Sequence, residues 1–209
     1  MHVARYRKNI YYFIFSMHRY TLISPQLLLP WKCDFFKLNL WRLYGTWTSH
    51  KMKEYEGRKL VGFSMEKMYR VVADVENYKR FIPFCKKSEV TLKTEDFQKA
   101  NLVIGFPPIQ ESYTSKITTA YPRIVKAECR DGKLFDHLDT LWLFRPGLKN
   151  NSETCIIDFS LSFEFKSAIY SQLSNLFFNE VVRQMENAFI QEATRRYGKP
   201  CLKTVKLER

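Results

Sequence analysis

The chain has few side chains of the kinds that carry out catalysis, and none stands at a spacing diagnostic of an active site. The candidates are His137, Cys85, Cys129, Glu111, Asp136 and Asp139. A cysteine–histidine pair or two facing acids would supply nucleophilic or acid–base chemistry only if the fold brought them together. We interpret the acids as solvated or turn residues and Cys129 as a small buried residue. We therefore expect no catalytic residue.

Motifs for nucleotides and metals are missing from the sequence. Its seven glycines form neither a G-x-G-x-x-G nor a G-x-x-x-x-G-K-[ST] loop, which excludes nucleotide binding through those motifs. The five cysteines are odd in number and widely spaced, and no two of them form a C-x-x-C pair. Neither a disulfide framework nor a zinc site is therefore expected, and we predict no metal and no catalytic cofactor.

Positive charge is concentrated at the N terminus. Of the net charge of +13, residues 1–53 contribute nine lysines and arginines against one acid, whereas the rest has 25 basic and 20 acidic residues. A basic, aromatic, almost acid-free N terminus is typical of a mitochondrial transit peptide, so we assign residues 1–52 to one. A folded N-terminal extension is the alternative. The apolar runs in this segment are too short to span a bilayer, and we predict no transmembrane helix.

The elements that must position any site follow from periodicity. A strand at Tyr55–Phe63 leads to Ser64, a plausible N-cap for a helix, and a second short helix is stopped by Pro83. The spacing then changes to the period of two that is typical of strands. From Lys87 onward we predict six strands, of which the last five are Lys99–Phe106, Ser112–Thr119, Arg123–Arg130, His137–Arg145 and Glu153–Lys166.

One long helix closes the predicted fold. It runs from about Ser167 to Tyr197, and Gly198 and Pro200 end it. Its apolar side chains share a broad face, and alternate residues of the last strand, from Cys155 to Phe165, form a matching apolar face. These patterns predict an α+β domain at residues 53–198, in which an antiparallel sheet curls around the C-terminal helix, followed by a tail at residues 199–209.

Several blocks of sequence resemble the mitochondrial coenzyme Q-binding proteins, a branch of the START-like or polyketide cyclase superfamily. These blocks are residues 53–90, 104–108, 111–117, 125–142 and 155–182. The resemblance covers nearly all of the predicted domain and leaves out the N-terminal segment. One departure is Phe84, where the family often has tryptophan before the Cys–Lys pair.

The resemblance implies a helix-grip fold, with a curved antiparallel sheet of about seven strands around the long helix and an apolar tunnel for a polyprenyl quinone. It further implies a non-catalytic protein that binds and delivers ubiquinone, supporting respiration and quinone synthesis. The expected location is the matrix side of the mitochondrial inner membrane, in peripheral contact with it. Respiratory-chain or quinone-synthesis proteins are possible partners.

Two sets of residues are candidates for the site. We expect the tunnel to be lined by Trp142, Phe159, Leu161, Phe163, Phe165, Phe177, Val181 and Met185. About half of these are equally consistent with an ordinary core, since two apolar faces pack together in any domain. We expect a mobile apolar lip that touches the bilayer at Phe106, Pro107, Pro108 and Ile109, with a buried turn as the alternative.

Two other functions stay open. Polyketide cyclases share the superfamily fold and use acids or bases inside the cavity, but this sequence has few such groups. A bacterial ribosome-association toxin is a close relative of the family, and ribosome binding would need a concentrated basic surface with stacking aromatics. The net charge of +5 that remains after residue 53 is spread thinly. We therefore rank quinone binding first, ribosome association second and catalysis third, and expect no nucleic-acid partner.

Overall fold

The structure is a computed structural model that describes residues 52–106, 109–130, 135–166 and 168–208. Side chains are described in these ranges except at positions 106, 109 and 168–179. Nearly all of the predicted transit segment, residues 1–52, lies outside the described residues. The same holds for Pro107 and Pro108 of the predicted lip and for the side chain of Phe177.

The described residues form eight strands and three α-helices, and all but the last strand follow the predicted order. In sequence these are β1 (Lys53–Val61), α1 (Met65–Ala73), a 3-10 turn (Val75–Asn77), α2 (Tyr78–Phe81), β2 (Cys85–Lys93), β3 (Phe97–Phe106), β4 (Ile109–Ala120), β5 (Ile124–Cys129), β6 (Phe135–Pro146), β7 (Cys155–Phe165), α3 (Ala168–Tyr197) and β8 (Val205–Lys206). The strands make one sheet in the order β2-β3-β4-β5-β6-β7-β1-β8. The predicted α+β fold, a curved antiparallel sheet with a long C-terminal helix, is confirmed.

Local sequence signals set the helix ends. Ser64 has an extended backbone, and its side-chain oxygen accepts a hydrogen bond from the Lys67 amide at 3.4 Å, as expected of an N-cap. Helix α3 ends before Gly198, whose φ of +85° lies in the left-handed region that glycine adopts without strain. Both predicted boundaries are confirmed.

The core lies between the sheet and the helices. On β7 the alternate residues Cys155, Ile157, Phe159, Leu161 and Phe163 are all buried, as the period of two predicts. Helix α3 contributes its own buried apolar residues, and α1 contributes Met68, Val71 and Val72. The apolar faces predicted for β7 and α3 therefore pack into one core.

The eighth strand lies in the segment that the sequence analysis treats as a tail. Leu60 of β1 pairs with Val205 of β8, and the Leu207 amide donates to the Arg58 carbonyl at 2.9 Å. Gly62 permits the close approach, since a Cβ there would lie 2.5 Å from the Leu202 nitrogen. A two-residue strand is too short to show alternation, which is why periodicity does not predict it.

Among the described residues, no helix is long and apolar enough to cross a membrane.

Candidate functional site

A cavity of about 130 Å³ lies between the inner face of the sheet and the helices. One of its walls consists of Val75, Tyr78, Met185 and Phe189 from the helical elements and of Ile82 and Pro83 from the loop after α2. Its sheet wall consists of Cys85, Leu102, Ile104, Tyr113, Ser115, Ile117, Val125, Ala127, Leu138, Thr140, Trp142 and Phe159. Every one of these side chains is uncharged, so the cavity suits a neutral, largely apolar molecule.

The small side chain of Ala127 helps to leave this space open. Ala127 pairs with Ile117 on one side and with Thr140 on the other, so the three residues form a row across β4, β5 and β6. At one end of the cavity Trp142 packs against Phe159 and Phe189, with ring centroids 4.2 Å and 4.7 Å away. The cavity therefore has free space beside Ala127, and aromatic rings bound it on the side of Trp142.

The structure brings three of the predicted tunnel residues, Trp142, Phe159 and Met185, into the lining of this cavity. Leu161 is buried in the core next to them without lining it, and Val181 is partly exposed on α3. The role of these residues in ligand binding stays a prediction.

Two further predicted tunnel residues belong to an aromatic cluster that adjoins the cavity, because the Phe135 ring at its centre lies 5.7 Å from the cavity-lining Tyr113 ring. The rings of Phe163 and Phe165 lie 5.9 Å and 5.0 Å from that of Phe135, centroid to centroid. None of the three lines the cavity. The side chains of Phe177, Phe106 and Ile109 lie outside the described set, so their predicted roles also stay predictions.

Sequence reasoning missed three hydroxyl groups in the cavity wall, those of Tyr113, Ser115 and Thr140. Within the described residues, no side-chain hydrogen bond to another residue occupies any of them. Ser115 is only 4% exposed, so its hydroxyl is withdrawn from bulk water. Hydroxyls that line a cavity and make no side-chain hydrogen bond to another described residue can donate to or accept from a ligand there. The signal was present, because alternation along Ser112–Thr119 places Tyr113, Ser115 and Ile117 on one face.

The ionisable groups of the cavity stay uncharged near neutral pH. Burial raises the pKa of the Cys85 thiol to about 11, and its sulfur donates to the Lys87 carbonyl at 3.4 Å. Burial also raises the pKa of Tyr113. Tyr78, whose pKa is likewise raised by burial, donates its hydroxyl to the Val72 carbonyl. These groups are therefore hydrogen-bond donors, and none is poised as a general base.

Of the residues with catalytic potential, Cys85 lines the cavity, whereas His137, Cys129 and the three acids do not. His137 Nε2 is 3.1 Å from Ser162 Oγ and 3.5 Å from Asp139 Oδ2. A catalytic triad uses one ring nitrogen for the nucleophile and the other for the acid, so this is not triad geometry. Leu138 lines the cavity, so its neighbour His137 faces the opposite side of the sheet. No cysteine–histidine pair therefore forms across the cavity wall.

The described residues contain no group of three or more potential metal ligands. This part of the chain therefore holds no cluster on which metal chemistry is expected.

A long helix held by a curved antiparallel sheet around an apolar cavity defines a START-like domain. The same fold occurs in the Zhui aromatase/cyclase of Streptomyces sp. R1128, with a TM-score of 0.60, 17% identity, and coverage of 70% of this chain and 96% of that one. At this identity the likeness concerns the fold alone.

Sequence comparison gives the family. The model of the family described as polyketide cyclase / dehydrase and lipid transport matches residues 61–190. The mitochondrial coenzyme Q-binding protein of Drosophila melanogaster is 46% identical over 171 residues, which are 81% of this chain and 71% of that protein. The chain belongs to the polyketide cyclase / dehydrase and lipid transport family, in the branch whose members are named coenzyme Q-binding proteins.

A second named function occurs among the relatives. The ribosome association toxin of Vibrio cholerae is 30% identical to this chain over 147 residues, covering 70% of this chain and 99% of the toxin.

Proposed function

We propose that the chain binds ubiquinone in this cavity and carries it without transforming it. The observation that carries the proposal is a cavity with an uncharged, mostly apolar lining and three hydroxyls available to a ligand, in a chain 46% identical to a coenzyme Q-binding protein. A quinone ring is neutral and offers carbonyl oxygens that accept hydrogen bonds. An isoprenoid tail gains roughly 25 cal/mol for each Å² of apolar surface removed from water.

The size of the cavity indicates which part of the ligand it holds. Its volume of about 130 Å³ is close to that of the roughly 150 Å³ engineered cavity in another protein that binds benzene. A ring of about the size of benzene therefore fits in the cavity as it stands, whereas a whole polyprenyl quinone does not. In this proposal the quinone ring occupies the cavity and the isoprenoid tail continues beyond it.

The hydroxyls flank the place proposed for the ring. Tyr113 and Ser115 are on β4 and Thr140 is on β6, so the two sides are separated by β5, roughly 10 Å at ordinary strand spacing. Donors on opposite sides of a ring can each reach one of its two carbonyl oxygens. Trp142 and Phe159 then face the apolar part of the ring.

The tail needs further apolar surface. From the sequence we predict that this surface is formed by Leu161, Phe163, Phe165, Phe177 and Val181. The lip from Phe106 to Ile109 is the proposed point at which the tail meets the bilayer.

The proposed setting is the matrix side of the mitochondrial inner membrane. The relatives named as coenzyme Q-binding proteins are also named mitochondrial, and the basic N terminus of this chain is typical of a transit segment. From there the protein would deliver ubiquinone to proteins of the respiratory chain or of quinone synthesis.

Organic extraction and mass spectrometry of the purified chain test the proposal. We expect ubiquinone to co-purify with the wild-type chain and to be lost from Ala127→Leu, because leucine fills the space beside Ile117 and Thr140. Ala127→Ser is the matched control, since serine keeps the cavity open. If none of the three folded proteins holds or takes up ubiquinone, the proposal is wrong.

Ribosome association is the second candidate, because the Vibrio cholerae toxin is matched over 99% of its length. Co-sedimentation with ribosomes in a salt series would favour it, particularly if Ala127→Leu sediments as the wild-type chain does. In that case the cavity would have no part in the function.

A further inference from the structure

The end of α2 and the start of β2, together with the loop between them, carry four positive charges close together in the sequence. We call residues 79–87 the basic turn. Its cations Lys79, Arg80, Lys86 and Lys87 are all exposed, and it contains no acid. Lys87 pairs with Glu89 at 2.7 Å, whereas within the described residues the other three enter no ion pair. Lys79 Nζ donates a 3.4 Å hydrogen bond to the Ser88 carbonyl. None of these three cations is neutralised by an ion pair among the described residues, so their charge remains available to an external partner.

The basic turn also forms part of the cavity wall. Ile82, Pro83 and Cys85 line the cavity from within, between the cations that face solvent. Phe84 has a φ of +66°, unusual for a residue with a side chain, and its carbonyl accepts from the Gly105 amide at 2.9 Å. One short segment therefore presents cations outward and apolar side chains to the cavity.

We propose that the basic turn docks the protein on an anionic phospholipid surface and holds the cavity wall against it. The inference rests on the proposed function for the identity of the ligand, and it adds the surface through which a membrane-dissolved ligand is reached. Two pairs of exposed cations, Lys79 with Arg80 and Lys86 with Lys87, flank the apolar run of the turn, and such a cluster of cations is attracted to an anionic headgroup surface. Each lysine or arginine near an anionic surface strengthens binding by about fivefold.

A nucleic acid fits this surface less well. Single strands bind by stacking bases on free aromatic faces. The aromatic ring of Phe81 is committed to the protein, because its centroid lies 5.7 Å from that of Tyr78 and 5.4 Å from that of Phe189. The ring of Phe81 is therefore not free to stack on a base, and the other aromatic residue of the turn, Phe84, is half-buried.

Vesicle flotation of the full chain tests the proposal. The probes are phosphatidylcholine vesicles with and without phosphatidylglycerol, at low and high salt. The test variant replaces Lys79, Arg80 and Lys86 by glutamine. The matched control replaces Lys199, Lys203 and Lys206, which are equally exposed, enter no ion pair among the described residues and do not line the cavity. Both variants keep the N-terminal charges, so the difference between them isolates the basic turn.

We expect the test variant to bind phosphatidylglycerol vesicles on the order of 100-fold more weakly than the wild-type chain, with a smaller salt dependence. The control should keep most of the wild-type affinity. Equal losses in both variants, or none in either, would overturn the proposal. So would a test variant that keeps vesicle binding and loses ribosome co-sedimentation, since the basic turn would then serve RNA.

The ubiquinone content of the same preparations separates this proposal from the proposed function. If the wild-type chain holds ubiquinone but binds vesicles no better than the test variant, the docking proposal is wrong and the quinone proposal is unaffected. If the wild-type chain holds no ubiquinone but its vesicle binding depends on the basic turn, the quinone proposal is wrong and the docking proposal is unaffected.

Discussion

The indole ring of Trp142 on β6 packs against the ring of Phe189 on α3, with their centroids 4.7 Å apart and their planes inclined by 62°. Both rings also line the cavity. The contact that seats the C-terminal helix on the sheet is therefore also a wall of the proposed ligand site. Substitutions that remove this contact should therefore lower both the free energy of unfolding and the affinity for the ligand.

A double-mutant cycle tests this contact. Trp142→Leu and Phe189→Leu should each lower the free energy of unfolding by about 2–4 kcal/mol, because each leaves a void in the core. Their combined effect should differ from the sum by about 0.5–1.5 kcal/mol, the value of an aromatic pair. Urea denaturation measures all four free energies. Phe189→Leu combined with Tyr121→Leu is the control, and additivity in both cycles would show that the rings are not coupled.

The hydroxyl of Tyr113 is predicted to bind the ligand. Tyr113→Phe should weaken the binding of a short-tailed ubiquinone roughly 2- to 10-fold, because one hydrogen bond contributes about 0.5–1.5 kcal/mol. The fold should be unchanged, since no other described residue depends on that hydroxyl. Tyr121→Phe, at a tyrosine that is 60% exposed, is the matched control. If the two variants bind the ubiquinone with equal affinity, the Tyr113 hydroxyl does not bind the ligand.

Thiol reactivity should follow burial. Burial raises the pKa of Cys85 to about 11 and that of Cys155 to about 12, so both stay protonated at pH 8, and the thiol is far less nucleophilic than the thiolate. Iodoacetamide at pH 8 should therefore label the exposed Cys201 before Cys85 or Cys155, with the sites read by peptide mass spectrometry.

Bound ubiquinone should slow the labelling of Cys85, which lines the cavity, and leave Cys155 unaffected. Labelling of Cys85 at the rate of Cys201 would mean that its cavity is open to solvent.

An acid-sensitive ion pair fixes the end of α3. The buried Glu192 accepts 2.7 Å hydrogen bonds from Arg195 and Arg196, which hold its pKa at about 2, and Arg196 also pairs with Asp74 at 2.7 Å. Because the pKa is lowered in the folded state, the stabilisation is complete above the ordinary pKa of 4.5 and is lost as pH falls from there toward 2.

Glu192→Gln should therefore lower the free energy of unfolding by about 2 kcal/mol at pH 7 and by much less at pH 3. Denaturation curves at the two pH values measure the difference. Glu89→Gln, which removes an exposed pair with Lys87, is the control and should change neither value measurably. If Glu192→Gln lowers the free energy of unfolding by the same amount at both pH values, the ion pair is not the source of the stabilisation.

The order of the helices and strands can be predicted from the sequence because burying one face of a strand or helix makes apolar residues recur at a regular spacing. The alternation on β7 identifies its buried face, and the Ser64 cap and Gly198 mark where α1 begins and α3 ends. One residue breaks the pattern. Asp158 lies on the outer face and is yet only 5% exposed, because Arg58 and Arg145 approach its two oxygens to 2.5 Å and 3.1 Å. Long side chains from neighbouring strands cover it, and a one-dimensional pattern does not contain that contact.

The cavity was predicted less completely than the fold. Trp142, Phe159 and Met185 reach the cavity wall because apolar faces of β6, β7 and α3 meet there, and their part in ligand binding stays a prediction. Alternation alone cannot tell a residue that faces empty space, such as Ala127, from one packed against neighbours, such as Phe163. That difference depends on the volumes of side chains on three adjacent strands and a helix, which become neighbours only in the folded chain.

The most direct test of the central claim is a crystal structure of the chain with a short-tailed ubiquinone. The account predicts the quinone ring inside the cavity beside Ala127, facing Trp142, with a carbonyl oxygen within about 3.2 Å of the Tyr113 or Thr140 hydroxyl. A ring bound elsewhere while the cavity keeps its present walls would contradict it.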